Sequence, residues 1–227
     1  MQNPVEVTKA VEDILRRIKE AANRARRDPR EITLIAVSKG VGQQAILSAA
    51  NAGISVFGEN RVQEALDKFS GGMSQSPITL HCIGSLQMNK VKKAVGFFDL
   101  IHSIDSIPLA EKVEQEALQK SLIQSILIQV NIGEETTKGG VSVKDLPPLV
   151  ALVRKCSHLK LLGLMAIPPR TTNSRPYFAK LRELAAGFDL TGLSMGMSSD
   201  FEVAIEEGAT WVRVGAAIFG GAVPPAR

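Results

Sequence analysis

Strand-like and helix-like segments alternate eight times along this chain of 227 residues, and the alternation limits its fold more than any other feature. The strand-like segments are short apolar runs, as expected for strands buried on both faces of a parallel sheet. Eight such runs, each followed by a helix or helical turn, predict a (β/α)8 barrel of the TIM type. An open, doubly wound sheet stays an alternative, because strand counts taken from sequence can be wrong by one or two. The predicted strands cover residues 32–37, 54–57, 78–83, 100–103, 126–130, 160–165, 192–195 and 211–214.

An additional amphipathic helix precedes the first strand. Its apolar residues recur at helical spacing from Val7 to Ala22, and we expect the helix to cover about residues 5–27. No linker or composition break divides the chain, so we expect one domain over residues 1–227, with the barrel at about 31–220. The other predicted helices cover residues 42–50, 61–69, 88–95, 107–119, 145–155, 176–186 and 200–207, and a short apolar turn leads to Gly220.

Composition and charge exclude several classes of protein. The apolar runs are too short to cross a bilayer, and the first residues lack the order of a signal peptide. The two cysteines, Cys82 and Cys156, have no metal-type spacing, so we expect reduced thiols and a cytoplasmic protein. Much of the net charge of +4 comes from residues 1–30, where eight basic residues face five acidic ones on a helix. With only 4% aromatic residues, this pattern does not indicate nucleic-acid binding.

One lysine stands at the end of the first predicted strand. Residues 32–37 form a nearly unbroken apolar run, and Lys39 follows it, just before Gly40. A charged group beside a buried strand end costs free energy unless it reaches water, has a partner or has a chemical task. The carboxyl ends of barrel strands form the active face of TIM-type enzymes. Lys39 is therefore either a rim lysine that extends into solvent or a functional amine.

The last two predicted strands end in segments typical of a phosphate site. Ser198 and Ser199 follow the seventh strand, and Gly215 and Ala216 follow the eighth. Loops at these two positions form the usual phosphate site of such barrels, where glycine lets the backbone approach an anion and helix starts present free N–H groups. A lysine opposite a phosphate site favours two chemistries. One is a cofactor-free Schiff base with a substrate, as in barrel aldolases, and the other is pyridoxal phosphate bound at Lys39.

Some of these polar segments also have a purely structural explanation. Ser199 and Glu202 fit a helix capping box, and so do Asn60 and Gln63. His81 lies inside the third strand, where a core histidine is more common than a ligand, and it is the only histidine that we expect near the site. No Cys/His cluster indicates zinc, and no pair of carboxylates indicates glycoside hydrolysis.

Six short motifs occur in order along the chain, and together they are specific. They are AVSK at 36–39, FGEN at 57–60, HCIGSLQ at 81–87, GLMA at 163–166, LSMGMS at 193–198 and VRVG at 212–215. This set closely resembles the pyridoxal phosphate homeostasis protein family, which is also described as alanine racemase N-terminal-domain-like. The resemblance covers essentially the whole chain. It implies a (β/α)8 barrel that holds pyridoxal phosphate as an internal aldimine on Lys39.

The resemblance also implies roles for eight further residues. A cation that faces the pyridine nitrogen, as implied for Arg213, disfavours its protonation, so the ring would be a poorer electron sink. Two differences from the family stand out: Ala216 replaces a common Thr or Ser, and Gly40-Val41-Gly42 replaces the more usual Thr-Lys-Pro. By position, Ser198, Ser199, Gly215 and Ala216 would hold the phosphate, Arg213 would face the pyridine nitrogen, and Asn60, His81 and Met165 would line the ring pocket.

The function implied by the resemblance is carriage and homeostasis of pyridoxal phosphate. Alanine racemase supplies its second base from a further β-rich domain, whereas only residues 221–227 follow this barrel, so we do not expect efficient catalysis. A pyridoxal-phosphate-dependent racemase or decarboxylase of low activity is the alternative, and a cofactor-free aldolase is a third hypothesis. We expect a monomer, with pyridoxal-phosphate-dependent apoenzymes as recipients, and no metal, membrane or nucleic acid as a partner.

Overall fold

A computed structural model describes residues 4–71, 78–135, 138–170 and 173–220. Eight parallel strands close into a barrel in chain order, and β8 pairs with β1. The closed barrel confirms the predicted fold class and excludes the open, doubly wound sheet. The strands are β1 Thr33–Val37, β2 Val56–Glu59, β3 Thr79–Cys82, β4 Leu100–Ile104, β5 Gln124–Gln129, β6 Leu159–Met165, β7 Gly192–Met197 and β8 Trp211–Val214.

Helices follow the strands as the alternation predicts. The segment predicted as one helix at 88–95 begins instead with a 3-10 turn, Met88–Lys90, and continues as one α-helical turn, because Gly96 turns the chain at a positive φ of 74°. Within the described stretches, none of the helices is both long enough and apolar enough to span a bilayer. The α-helices are α1 Pro4–Arg24, α2 Gln43–Asn51, α3 Val62–Phe69, α4 Val91–Ala94, α5 Ile107–Gln119, α6 Leu146–Val153, α7 Arg175–Ala186, α8 Phe201–Glu206 and α9 Ala216–Phe219.

The predicted helix at about 5–27 ends three residues early, at Arg24. Arg26 adopts a left-handed conformation with φ of 55°, and the Arg27 N–H donates to the Ala22 carbonyl at 2.9 Å, which closes the helix end. The apolar face of α1 packs against α2, α8 and α9. This additional helix therefore covers the outside of the barrel where the first and the last two βα units lie.

The hydrophobic core has two parts, one outside the barrel and one inside it. The larger part lies between the strands and the surrounding helices and includes Phe57, Phe178 and Phe201. The smaller part fills the barrel interior with Leu100, Leu127 and Met165. Because successive side chains of a strand point to opposite faces, β4, β5 and β6 contribute to both parts. A polar chain of residues shares the interior with the smaller part and leads toward the carboxyl ends of the strands.

Candidate functional site

Lys39 lies at the carboxyl edge of the barrel, two residues after the end of β1, and its side chain is exposed. Within the described residues, its amine has no hydrogen-bond or ion-pair partner. The strand beside β1 is β8, and Ala36 pairs with Val214 across the two strands. A Cβ on Gly215 would lie 3.1 Å from the Val37 Cβ, so glycine at 215 allows a close approach to β1. The fold therefore places a free amine next to the loop that follows β8.

The two segments predicted to bind phosphate come together at this edge. β7 pairs with β8, with Met197 opposite Arg213, so Ser198 and Ser199 leave the barrel beside Gly215. In the described part of the chain, neither serine hydroxyl has a hydrogen-bond partner. The first N–H groups of α8 and α9 have no acceptors within their own helices. Free hydroxyls and N–H groups on two adjacent strand ends are suitable donors for an anion.

The capping-box explanation of these serines is wrong. Asp200, rather than Ser199, is the N-cap residue of α8, and no side chain caps the helix. The Glu202 carboxylate instead accepts two hydrogen bonds of 3.0 Å from Arg17 of α1. The loop is fixed by Asp200, whose carboxylate accepts the Met197 N–H at 2.7 Å. Ser199 is therefore available to a ligand.

Asp200 has a second partner that sequence patterns did not reveal. Its carboxylate also accepts the Ser174 hydroxyl at 2.8 Å. Ser174 comes just before α7 in a loop without a recognisable motif. The bond therefore links the loop after β6 to the loop after β7.

The second predicted capping box, at Asn60, is also wrong. The N-cap of α3 is Arg61, without a side-chain cap, and the Gln63 amide donates to Asp67 at 2.9 Å. Asn60 lies directly after β2 at the carboxyl edge, and its backbone would be 2.3 Å from a Cβ on Gly84. Glycine at 84 is therefore needed for the ends of β2 and β3 to approach each other. The Asn60 side chain lies at the same edge as Lys39.

Arg213 lies inside the barrel, with 4% of its surface exposed. Its guanidinium donates to the Ser194 hydroxyl at 2.5 Å and to the Ala166 carbonyl at 3.0 Å. Burial lowers the pKa of Arg213 to about 10, which still leaves it cationic at neutral pH. The fold thus holds a fixed positive charge in the barrel interior, one strand away from β1.

Two histidines continue this polar chain across the interior. Nδ1 of His102 lies 2.9 Å from the Ser194 hydroxyl, and Nε2 of His102 lies 3.0 Å from Nδ1 of His81. Burial lowers the pKa of His81 to about 4. Burial, followed by the neighbouring His81 and Arg213, lowers the pKa of His102 well below its usual value. Both imidazoles are therefore neutral at pH 7.

The contacts of His102 join the two histidines to Arg213. Arg213 can only donate, so the Ser194 oxygen accepts its proton. Ser194 in turn contacts His102, and His102 contacts His81. The expectation that His81 is the only histidine near the site is wrong, because β4 brings His102 beside it. The sequence did contain a signal for this. His102 lies two residues after the inward-facing Leu100 on the same strand, so the alternation of side chains points it inward as well.

Met165 is fully buried and packs against Leu100 and Leu127 inside the barrel. Ala216, the first residue of α9, is exposed and has no hydroxyl to offer an anion. The structure therefore brings Lys39, Ser198, Ser199, Gly215 and Ala216 together at the β7–β8–β1 edge. It places Arg213, His81 and Met165 deeper in the barrel and Asn60 at the end of the neighbouring strand β2.

Two other kinds of site fit the described residues less well. An open cleft of about 440 Å³ lies between the start of α5 and the loop after β5, but its lining includes Asp105 and Asp145 and no cationic side chain. Carboxylates repel a phosphate, so the cleft suits an anion less than the β7–β8–β1 edge does. No group of three or more His, Cys, Asp or Glu side chains in the described stretches could hold a metal ion.

Several known proteins are similar to this chain. Residues 10–223 match the family described as "Alanine racemase, N-terminal domain". The "Pyridoxal phosphate homeostasis protein" of Aquifex aeolicus (strain VF5) is 45% identical over 216 residues, which cover 91% of this chain and 94% of that protein. The protein of the same name from Pseudomonas aeruginosa is 40% identical over 219 residues, covering 94% and 95% of the two chains.

A solved structure extends the likeness to three dimensions. PipY, a COG0325 family member of Synechococcus elongatus PCC7942, was solved with PLP bound, and it superposes on this chain with a TM-score of 0.79. The two are 39% identical, and the match covers 89% of this chain and all of PipY. Identity at this level over nearly the whole chain, together with the shared closed barrel, shows that the chain belongs to the pyridoxal phosphate homeostasis protein family, within the group built on the alanine racemase N-terminal domain.

Proposed function

We propose that this protein binds pyridoxal phosphate at the β7–β8–β1 edge and serves as an intracellular carrier or store of it. In this proposal, Lys39 forms a Schiff base with the aldehyde, and Ser198, Ser199 and the backbone of Gly215 and Ala216 hold the phosphate. The observation that carries the proposal is the Lys39 amine, which has no partner among the described residues and follows the strand next to Gly215. When bound, the cofactor would supply a reactive aldehyde and an electron-accepting ring. The names of the two relatives support the same function.

Arg213 supports a holding role rather than a catalytic one. In our proposal it faces the pyridine nitrogen, while Asn60, His81 and Met165 border the ring. Ser194 and the Ala166 carbonyl fix the guanidinium, which stays cationic because its pKa is about 10. A fixed cation disfavours a proton on the neighbouring ring nitrogen, and an unprotonated ring stabilises a carbanion poorly.

The described residues near Lys39 also offer few candidates for a second acid or base. His81 and His102 are hydrogen-bonded to each other, and the lowered pKa of each keeps it neutral. Burial raises the pKa of the Cys82 thiol to about 12, so it is not a nucleophile at neutral pH. General acid–base catalysis is most efficient with a group that titrates near the working pH. We therefore propose that the protein has no efficient catalytic activity.

A weak racemase or decarboxylase that uses the same cofactor is the second candidate. The match to an alanine racemase domain and the position of His81 in the carboxyl half of β3 favour it. Exchange of the α-proton of amino acids in D₂O, measured for the loaded wild type and for His81→Asn, separates the two functions. Exchange that is lost in His81→Asn would support the enzyme, and no exchange in either protein would support the carrier.

Borohydride reduction tests the proposal directly. We expect purified protein incubated with pyridoxal phosphate to develop a visible absorption band, and peptide mass spectrometry after reduction to find the adduct on Lys39. Lys39→Ala should lack both signals, whereas Lys90→Ala, which removes another lysine of the same charge, should retain them. No adduct on Lys39 in the wild type would reject the proposal. A trapped keto compound without phosphate would favour the cofactor-free aldolase.

We further propose that the protein is a cytoplasmic monomer that passes its cofactor to pyridoxal-phosphate-dependent apoenzymes. The exposure of Lys39 supports this, because an amine from a recipient can reach the bound aldehyde carbon. Loaded protein mixed with an apo-aminotransferase should restore its activity. Protein in which the Lys39 adduct has been reduced should not restore it. Analytical ultracentrifugation would measure the oligomeric state.

A further inference from the structure

Three charged side chains behind Lys39 form a group that we call the α3 ion cluster: Glu59, Glu64 and Lys68. The Lys68 ammonium donates to Glu59 at 2.8 Å, to Glu64 at 2.6 Å and to the Ser38 carbonyl at 2.5 Å. Its three protons therefore all have acceptors. The Glu59 side chain is fully buried, and that of Lys68 is 14% exposed. The cluster is thus an ordered part of the interface between α3 and the barrel.

The cluster binds the residues on both sides of Lys39. The Ser38 hydroxyl donates to Glu59 at 2.7 Å, and the Ser38 carbonyl accepts the Lys68 proton. The Gly40 N–H donates to Glu64 at 2.6 Å. The preceding residue and the following residue are therefore both fixed to α3, while the Lys39 side chain itself has no partner in the described part of the chain. The backbone of Lys39 is fixed, and its amine is free.

The glycine at position 40 explains why the turn after Lys39 needs these hydrogen bonds. Its φ is 67°, and no atom lies within 4 Å of an added Cβ, so the shape of the turn rather than lack of space requires glycine. Glycine has more backbone freedom than any other residue. A turn with glycine directly after Lys39 therefore does not hold its shape by itself, and the bond from Gly40 to Glu64 restricts it.

We propose that Glu64, together with Glu59 and Lys68, is a positioning residue for Lys39. The inference rests on the proposed function. The Lys39 amine attacks the aldehyde carbon, a C=N bond forms, and the aldehyde oxygen leaves as water with two protons from the amine, without any oxidation or reduction. With the phosphate held at the ends of β7 and β8, the reach of the amine depends on the turn from Ser38 to Gly40. Reactions between groups held in place are very sensitive to such geometry.

A purely structural role is the competing explanation, since the same contacts attach α3 to the barrel. Buried ion pairs contribute little net stability when they are intact, and removal of one partner can destabilise the protein. The positioning role and the structural role predict different effects of a mutation on ligand binding and on stability. A positioning role affects bond formation at Lys39 selectively, whereas a structural role affects all ligands of the site and the stability alike.

Three variants on α3 separate these roles. Glu64→Ala removes the acceptor of the Gly40 N–H, Glu64→Gln keeps an oxygen there, and Asp67→Ala removes an exposed carboxylate from the same helix. The ligands are pyridoxal 5′-phosphate and pyridoxine 5′-phosphate, which has an alcohol in place of the aldehyde. We expect Glu64→Ala to weaken adduct formation with the aldehyde about tenfold, in keeping with the loss of a hydrogen bond to a charged group. Its affinity for the alcohol should stay within about twofold.

We expect Glu64→Gln to recover most of the adduct formation, and Asp67→Ala to behave like the wild type with both ligands. Hydrogen exchange without ligand gives a second readout, because the Gly40 amide should exchange faster in Glu64→Ala than in Asp67→Ala. Unchanged adduct formation in Glu64→Ala, or equal losses for both ligands, would overturn the inference while leaving the proposed function intact. Absence of an adduct in the wild type would instead reject the proposed function.

Discussion

At the scale of single residues, Lys39 is defined by its surroundings rather than by contacts of its own. An exposed amine without a partner is ordinary on a protein surface. At this position it follows a buried strand, stands between two fixed neighbours and lies beside the segment after β8. Arg213 is the opposite case, because its guanidinium is buried and bonded to Ser194 and Ala166. One cation is free to react, and the other is held as a fixed charge.

The absence of a hydroxyl at residue 216 leads to a prediction about affinity. Ala216 begins α9 at the edge proposed to hold the phosphate. Ala216→Ser would add one hydrogen-bond donor, worth about 0.5–1.5 kcal/mol, so we expect pyridoxal phosphate to bind a few-fold more tightly. Ala217→Ser, one residue further along α9 and equally exposed, serves as the control. Dissociation constants from absorbance titrations would measure both, and unchanged or weaker binding by Ala216→Ser would contradict the prediction.

At the scale of secondary-structure elements, the close approach of β6 and β7 depends on glycine. A Cβ on Gly163 would lie 1.9 Å from the Gly192 carbonyl oxygen. We expect Gly163→Ala to separate the two strands and to lower the free energy of unfolding by about 3 kcal/mol, at the upper end for overpacked interiors. Gly42→Ala is the matched control, because its added Cβ meets no atom within 4 Å and its φ is −75°. Urea unfolding would measure the stability of both variants. Equal stabilities would contradict the prediction and show that β6 and β7 can move apart at little cost.

The contact between the segment after α1 and the end of α8 leads to a second prediction at this scale. The Arg27 guanidinium donates to the carbonyls of Ile205 and Ala209, both at 2.8 Å, near the end of α8. Arg27→Met would leave these acceptors without their partner, and we expect the free energy of unfolding to fall by about 2 kcal/mol. Arg16→Met should change it by less than about 0.5 kcal/mol, because the Arg16 ion pairs are exposed. Chemical denaturation of both variants provides the measurement. Equal losses of stability in the two variants would mean that the hydrogen bonds from Arg27 to the two carbonyls do not stabilise the protein.

At the scale of the whole molecule, the buried histidines make stability depend on pH. His81 has a folded pKa of about 4, below the value of about 6.5 expected when it is unfolded. Between these values the unfolded chain binds a proton that the folded protein does not, so stability increases with pH in this range. The contribution of His81 is complete above about pH 6.5 and is lost as the pH falls toward 4. The shift corresponds to roughly 3 kcal/mol.

Free energies of unfolding measured from pH 4.5 to 7.5 would test this prediction. We expect His81→Asn to reduce the slope of stability against pH, because it removes the histidine whose pKa is lowered by burial. NMR signals of His81 should not titrate between pH 5 and 8. Titration near pH 6.5 would show that the interior is hydrated enough to charge the imidazole.

The sequence by itself determined the architecture, because hydrophobic periodicity is a local property. Eight alternating segments predicted the barrel, and the observed strands lie within a few residues of the predicted ones. The same alternation placed Lys39, Ser198 and Gly215 at the carboxyl ends of strands, and the family motifs agree with that placement. Errors occurred where a local pattern had more than one explanation, as with the two capping boxes and the helix end at Arg24.

Only the tertiary structure decided which polar groups meet. Ser194 and His102 are 92 positions apart in the chain, and Gly40 and Glu64 are 24 apart, so no local pattern could pair them. Closure of the barrel brings β4 opposite β7 and sets α3 behind the turn after β1. The pairing of the histidines, the fixed charge of Arg213 and the anchoring of the Lys39 backbone all follow from these contacts. Hydrogen bonds form at distances of about 3 Å. The hydrophobic periodicity of the sequence does not determine such distances, whereas the closed barrel does.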